Sequence, residues 1–86
     1  RKVHLNLTGT TSMGRDPSSA IKIGDHQASR EHAVIELRSG EWVLRDLDSA
    51  NGTRVNGAPV RSKALKDGDA IGIGECVIQF RTRAGT

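Results

Sequence analysis

The stretch Ala28-Ser29-Arg30-Glu31-His32-Ala33-Val34-Ile35 places a polar loop directly before an apolar run. A hydroxyl, a guanidinium and an imidazole fall within four positions, and the alternation of Ala33, Ile35 and Leu37 is typical of a strand with one buried face. A loop held at the start of a strand can present hydrogen-bond donors to an anion. We therefore take this junction as the feature around which the fold is organised.

Short alternating runs lie on both sides of this junction, and turn-forming residues end each of them. They predict strands over 3–7, 21–23, 42–44, 53–55, 71–73 and 76–80. Ser39-Gly40 predicts a hairpin, Asn51-Gly52 and Asn56-Gly57 predict turns, and 58–66 is predicted to be a loop. Many short strands without a helix-period segment predict an all-β fold, an antiparallel two-sheet β-sandwich with its ligand loops at one end.

Length and composition limit the class of protein. The 86 residues suffice for one domain, and 35% hydrophobic with 27% charged residues fits a folded chain better than a disordered one. The single cysteine cannot form an internal disulfide, and no apolar run reaches the ~20 residues that cross a bilayer. We therefore expect no membrane span and a cytoplasmic location, or a nuclear one in a eukaryote. The start at Arg1 leads us to expect that residues 1–86 are a single domain from a longer protein.

The formal net charge of +3 favours an anionic partner. Trp42 and Phe80 are the only aromatic residues, so the chain offers little surface for stacking nucleic-acid bases. We therefore expect no nucleic-acid partner, although a nucleic-acid binder stays an alternative that rests on charge alone.

A phosphate ester is an anion that these loops could bind. It carries nearly two negative charges at neutral pH and only acceptor oxygens, so its receptor needs cations and donors. Arg15, Ser29 and Arg30 have this chemistry, and an arginine can meet two oxygens at once. Asn51 could both donate to and accept from the backbone of an extended peptide. The residues thus predict a small phosphate-binding module.

Four motifs in order span nearly the whole chain: Gly14-Arg15, Ser29-Arg30-x-His32, Ser49-x-Asn51-Gly52-Thr53-x-x-Asn56-Gly57, and Leu65-x-Asp67-Gly68-Asp69 with Ile71. Together they resemble the forkhead-associated (FHA) domain, and their combination is far more specific than any one of them. FHA domains are β-sandwiches that bind phosphothreonine peptides through loops at one end. The resemblance also implies a strand before Arg1, which leads us to expect a trimmed domain or a different edge pairing.

The resemblance implies a role for each matched residue. Arg15 and Ser29 would be the main phosphate contacts, with Arg30 as a helper, and Asn51 would bind the peptide backbone. The loops would be shaped by Gly14, His32, Gly52 and Thr53. The resemblance implies no catalysis, no cofactor and no metal. The expected partner is a phosphothreonine-containing protein or peptide in a serine/threonine kinase pathway.

Two positions depart from the family pattern. Ala50 stands where a threonine or another polar residue is common, and Ala20 stands where an aspartate is common. The first departure removes one potential phosphate donor, and the second removes a brace of the Arg15 loop. The main alternative is therefore a phospho-independent interaction or self-association scaffold.

A catalytic site, a zinc site and a dinucleotide-binding loop are each disfavoured by the sequence. A catalytic pair of Ser29 and His32 would lack a nucleophile-elbow sequence, and Ser29 could simply cap its own loop. A zinc site is disfavoured because the histidines and Cys76 lack the close spacing of zinc ligands. Gly72-x-Gly74 lacks the third glycine of a dinucleotide-binding loop.

Overall fold

The protein is described by a computed structural model that covers residues 9–81. Nine strands follow in order: β1 (Thr11–Gly14), β2 (Ile21–Lys22), β3 (Ala33–Arg38), β4 (Glu41–Asp46), β5 (Thr53–Val55), β6 (Ala58–Val60), β7 (Ser62–Ala64), β8 (Ala70–Ile73) and β9 (Cys76–Gln79). The strand predicted over 3–7 lies outside the described residues.

These strands form two sheets, with the orders β2-β1-β3-β4-β7 and β6-β5-β8-β9. Neighbouring strands run antiparallel except β1 and β2, which run parallel. No helix occurs between residues 9 and 81, and thus none there could span a membrane. The predicted all-β sandwich is confirmed.

The core lies between the sheets and is filled by the inward-facing residue of each alternating pair. Its fully buried members include Met13, Ile23, Leu44, Ile71 and Ile73. His32 is also fully buried, although its position borders the polar loop. In β3, Ala33 and Ile35 pack in the core as the alternation predicts, but Leu37, predicted on the same buried face, is 49% exposed near the end of the strand.

Residues 58–66 contain two strands, so the prediction of a loop there is wrong. Asn56 (φ 52°) and Gly57 (φ 86°) form a tight turn that returns the chain alongside β5. The chain then crosses at Arg61, whose carbonyl accepts from the Asp46 N–H at 2.8 Å, and β7 joins the other sheet beside β4. Proline is tolerated in β6 because this strand is an edge of its sheet.

Candidate functional site

Three loops meet at one end of the sandwich: the segment after β1, the loop between β2 and β3, and the loop between β4 and β5. The Arg15 and Asp16 N–H groups donate to the carbonyls of Ser29 and Arg30, each at 3.1 Å. A Cβ on Gly14 would collide with the Arg30 carbonyl, so only glycine permits this approach. The first two loops are thus joined backbone to backbone.

The third loop is tied to the second by two further bonds. The Ala50 N–H donates to the Ser29 hydroxyl oxygen at 3.0 Å, and the Asn51 side-chain amide donates to the Gln27 carbonyl at 2.8 Å. Arg15, Ser29, Arg30 and Asn51, the four ligand-contact residues predicted from the sequence, therefore lie in one cluster of connected loops.

Arg15 is fixed by one nitrogen and keeps the others for a ligand. Its Nε donates to the Ala28 carbonyl at 2.6 Å, and within residues 9–81 its guanidinium has no other hydrogen-bond partner. Arg30 is held more loosely, because its side chain is 74% exposed and its ion pair with Asp16 spans 3.8 Å. The loop thus has two guanidinium groups beside it. That of Arg15 is held by a hydrogen bond, and that of Arg30 is largely exposed.

The Ser29 hydroxyl oxygen accepts from the Ala50 backbone, and this leaves the hydroxyl hydrogen to donate. A phosphate only accepts, so the unused half of the hydroxyl is the half that a phosphate needs. Ala50 therefore joins the two loops through its backbone N–H, although its side chain has no polar group.

His32 lies under the loops with both ring nitrogens occupied by the main chain. The Ser29 N–H donates to Nδ1 at 2.9 Å, and Nε2 lies 2.8 Å from the Gly52 carbonyl. Because a carbonyl can only accept and an N–H can only donate, Nε2 is the donor of the ring and Nδ1 its acceptor. The imidazole does not bond the Ser29 hydroxyl, so this geometry offers no base for Ser29 as a nucleophile.

Asp46 organises the loop that contains Asn51. Its carboxylate accepts from the hydroxyls of Ser49 and Thr53, each at 2.6 Å, and from the Ser49 N–H at 3.0 Å. Burial raises the pKa of Asp46, but these hydrogen bonds outweigh it and hold the pKa below the ordinary value of 3.8. The Ser49 hydroxyl oxygen accepts from the Gly52 N–H at 3.0 Å, and Gly52 has a φ of 82°.

Within the part of the chain that the structure describes, every backbone N–H and carbonyl of residues 27–30 except the Arg30 N–H is paired before any ligand arrives. The Gln27 N–H donates to the Asp25 carboxylate at 2.8 Å, and the Ala28 N–H donates to the Asp25 carbonyl at 3.0 Å. The other paired peptide groups of this segment bond to Asn51, Arg15, Asp16 and His32. A loop that is already ordered loses little conformational freedom on binding.

Asp25 and Asp46 brace the loops behind the predicted ligand-contact residues, whereas the sequence suggested for them only the orienting role of the disfavoured catalytic site. Each accepts from a backbone N–H two or three positions later, and this short-range pattern is the one signal that the sequence carried. The loop of Arg15 likewise has a brace without an aspartate at Ala20. The Asp16 carboxylate accepts from the N–H and hydroxyl of Ser18, and the Ser12 hydroxyl oxygen accepts from the Ala20 N–H.

Metal binding and a second anion site have little support within residues 9–81. No group of three His, Cys, Asp or Glu residues comes together there to hold a metal ion. A groove of about 300 Å³ lies on the outer face of the five-stranded sheet, lined in part by Asp16, Glu31 and Glu36. Its three carboxylates outnumber its one guanidinium, Arg45, which is paired with Glu36 at 3.3 Å, so the groove is a poor site for a phosphate.

Fold and site together define a β-sandwich binding domain whose ligand loops meet at one end. The chain belongs to the FHA domain family, because the model of that family matches residues 11–74. The resemblance predicted from the sequence motifs is thereby confirmed.

Among curated relatives, the glycogen accumulation regulator GarA of Mycolicibacterium smegmatis is 45% identical over 73 residues, which cover 85% of this chain and 46% of GarA. The oxoglutarate dehydrogenase inhibitor of Corynebacterium efficiens is 42% identical over 71 residues, which cover 83% of this chain and 50% of the inhibitor. The chain thus spans about half the length of these relatives. Their names describe a regulator and an inhibitor, which agrees with a binding role.

Among solved structures, one comes from a structural and functional analysis of phosphothreonine-dependent FHA domain interactions. It superposes with a TM-score of 0.84 at 36% identity and covers 91% of this chain and 81% of its own. The similarity therefore includes the sequence as well as the fold.

Proposed function

We propose that this domain binds phosphothreonine in partner proteins and takes part in serine/threonine kinase-dependent regulation or assembly without catalysing a reaction. The observation that carries this proposal is the pairing of Arg15 and Ser29 on a hydrogen-bonded loop, with donor capacity left on both side chains. A related solved domain engages in phosphothreonine-dependent interactions. Because protein phosphorylation uses intracellular ATP, we place this function in the cytoplasm.

In the proposed complex, the phosphate accepts from the Arg15 fork and the Ser29 hydroxyl. Arg30 adds charge from the same loop, and the free side-chain oxygen of Asn51 accepts from the peptide backbone. The three loops are kept in position relative to one another by Gly14, His32, Gly52 and Thr53. Hydrogen bonds to charged groups contribute roughly 1.5–3 kcal/mol each, so a few of them allow about micromolar affinity.

The direct test is calorimetric titration with matched peptides, selected first from a degenerate phosphothreonine library. We expect a phosphothreonine peptide to bind, its phosphoserine counterpart to bind less well, and the unmodified threonine peptide not to bind. Equal binding of all three peptides would instead support the phospho-independent scaffold. Binding of a polynucleotide with no binding of peptide would support the nucleic-acid alternative.

Binding should depend on salt and pH in a defined direction. Added salt screens the attraction between the dianion and the cluster of Arg15 and Arg30, so the affinity should fall as ionic strength rises. Protonation of the phosphate to the monoanion near pH ~6 removes ligand charge, so the affinity should rise from about pH 5 to 7.5. Titrations across both series check this prediction, and an affinity unchanged by salt would contradict it.

A further inference from the structure

Asp25 connects the ligand loops to the opposite sheet. One oxygen of its carboxylate accepts from the Gln27 N–H at 2.8 Å, and the other accepts from the Glu75 N–H at 2.9 Å. Glu75 lies in the turn between β8 and β9, 50 residues further along the chain. One carboxylate therefore holds a turn of the four-stranded sheet against the loop of the five-stranded sheet.

Gln27 is bonded on both sides of its Cα, and its second bond reaches the site. Asp25 fixes its N–H, and the Gln27 carbonyl accepts from the Asn51 side-chain amide at 2.8 Å. The position of Asn51 therefore depends on the orientation of Gln27, and this in turn depends on Asp25. Hydrogen bonds from Gln27, then from Glu75, lower the pKa of Asp25, so the carboxylate is charged at neutral pH.

Arg54 closes this set of contacts into a ring. Its guanidinium lies against Gly72 and donates to the Gly74 carbonyl at 2.5 Å. Arg54 lies in β5, and Asn51 lies three residues earlier in the loop that leads into this strand. Asp25 therefore holds the turn by its Glu75 N–H, and Arg54, on the strand that follows the Asn51 loop, holds the same turn by its Gly74 carbonyl.

We propose that Asp25 is a positioning residue for the phosphopeptide site, and that it couples the Gly74-Glu75 turn to the placement of Gln27 and Asn51. This inference rests on the proposed function. The Gly74-Glu75 turn belongs to the four-stranded sheet. It is connected to the site through the ring of contacts that Asp25, Gln27, Asn51 and Arg54 form. Changes made there should alter ligand affinity without altering any ligand contact.

Gly74 provides the sharpest probe of this coupling. Its φ is 60°, and a Cβ there would meet the Asp25 carboxylate at 2.8–2.9 Å. Gly40 is the matched control, because its φ is 81° and a Cβ there would meet nothing within 4 Å. Gly74→Ala and Gly40→Ala therefore impose similar backbone strain, but only the first displaces Asp25.

The experiment measures phosphothreonine-peptide affinity and thermal midpoint for both variants. We expect Gly74→Ala to weaken binding about fivefold to tenfold, since a shifted brace loses hydrogen-bond geometry, and Gly40→Ala to leave it within about twofold. Gly74→Ala should also lose more thermal stability than Gly40→Ala, because it adds the clash with Asp25 to the backbone strain that both variants share. Equal affinities of the two variants would overturn the proposal.

A double-mutant cycle separates coupling from general damage. Asp25→Ala should weaken binding about as much as Gly74→Ala, and adding Gly74→Ala to Asp25→Ala should have little further effect, because the displaced group is already gone. Losses that multiply would contradict the coupling. Asp25→Asn retains the shape and one acceptor, so it should restore part of the affinity that Asp25→Ala loses, and this comparison holds even if Gly74→Ala fails to fold.

Amide hydrogen exchange tests the coupling without a ligand. We expect the Gln27 and Ser29 N–H groups to exchange faster in Gly74→Ala than in Gly40→Ala. If the wild-type domain binds no phosphothreonine peptide, the proposed function fails while this readout still decides the coupling. Unchanged exchange at Gln27 would reject the positioning role of Asp25.

Discussion

Arg15 and Arg30 bring the same charge to the same loops, but they are held differently. The Nε of Arg15 is bound to the Ala28 carbonyl, so its fork is ordered before a phosphate arrives, whereas the Arg30 side chain is 74% exposed. We expect Arg15→Ala to weaken phosphothreonine-peptide binding about tenfold to hundredfold, and Arg30→Ala only severalfold. Calorimetric titration of both variants checks this order, and a larger effect of Arg30→Ala would contradict it.

Gly14 is required by contact rather than by a positive φ. A Cβ at this position would overlap the Arg30 carbonyl, which belongs to a paired backbone and cannot move away alone. We expect Gly14→Ala to lower the free energy of unfolding by about 1–3 kcal/mol or more and to weaken peptide binding. Gly24→Ala is the control, since a Cβ there meets nothing within 4 Å. Chemical denaturation of both variants measures the difference, and equal midpoints would refute the argument.

The sequence could suggest Arg15, Ser29 and Arg30 as phosphate contacts because the chemistry of each side chain is evident from its residue type alone. It could not reveal the Asp25–Glu75 contact, because a bond between residues 50 apart depends on how two sheets pack. The ring of His32 shows the same limit. A bracing role was predicted for it, but neither its full burial nor its two main-chain partners from different loops could be read from the sequence.

The turn of the hairpin between β5 and β6 is also hydrogen-bonded to the start of β8, through Asn56. Asn56 has a φ of 52°, its amide donates to the Asp69 carboxylate at 3.0 Å, and its side-chain oxygen accepts from the Ala70 N–H at 3.0 Å. We expect Asn56→Ala to cost about 2 kcal/mol through lost bonds and a strained φ. Asn56→Gly should recover the φ contribution alone. Denaturant midpoints that are equal for the two variants would show that φ contributes nothing.

At the level of elements, alternation was sufficient to locate β3, β5, β8 and β9 because each has a buried face, although Leu37 in β3 is exposed where the alternation predicts burial. It failed over 58–66, where Pro59 and a polar run conceal two edge strands. Edge strands bury little surface and keep their side chains polar, so they lack the pattern that the prediction used. The pairing of β6 follows instead from the turn at Asn56-Gly57, and the pairing of β7 follows from the crossing of the chain at Arg61.

The whole molecule should lose stability in acid. The carboxyl groups whose pKa lies below its ordinary value are those of Asp16, Asp25, Glu36, Asp46 and Asp69. The folded state therefore binds fewer protons than the unfolded state around the ordinary values of 3.8 for aspartate and 4.5 for glutamate. Their contribution is present above those values and is lost as pH falls through the lowered ones.

We expect the denaturant midpoint to fall as pH drops from about 5 to 3, and Asp46→Asn to make this decline shallower. The control is Glu41→Gln, because Glu41 is exposed and its side chain has no hydrogen bond or ion pair with other residues in the range 9–81. Urea titrations at several pH values measure the slope. A slope in Asp46→Asn that equals the wild-type slope would show that Asp46 does not contribute.

The bond from the Glu75 N–H to Asp25 also bears on synthesis at the ribosome. Every residue proposed to touch the phosphate or the peptide has been translated by Asn51, yet the strand that carries the closing turn follows later. A nascent chain halted before residue 75 would hold the complete set of ligand groups without the brace that orders them. We therefore expect full affinity only once the last hairpin has left the exit tunnel, and weaker binding by a chain halted before residue 75.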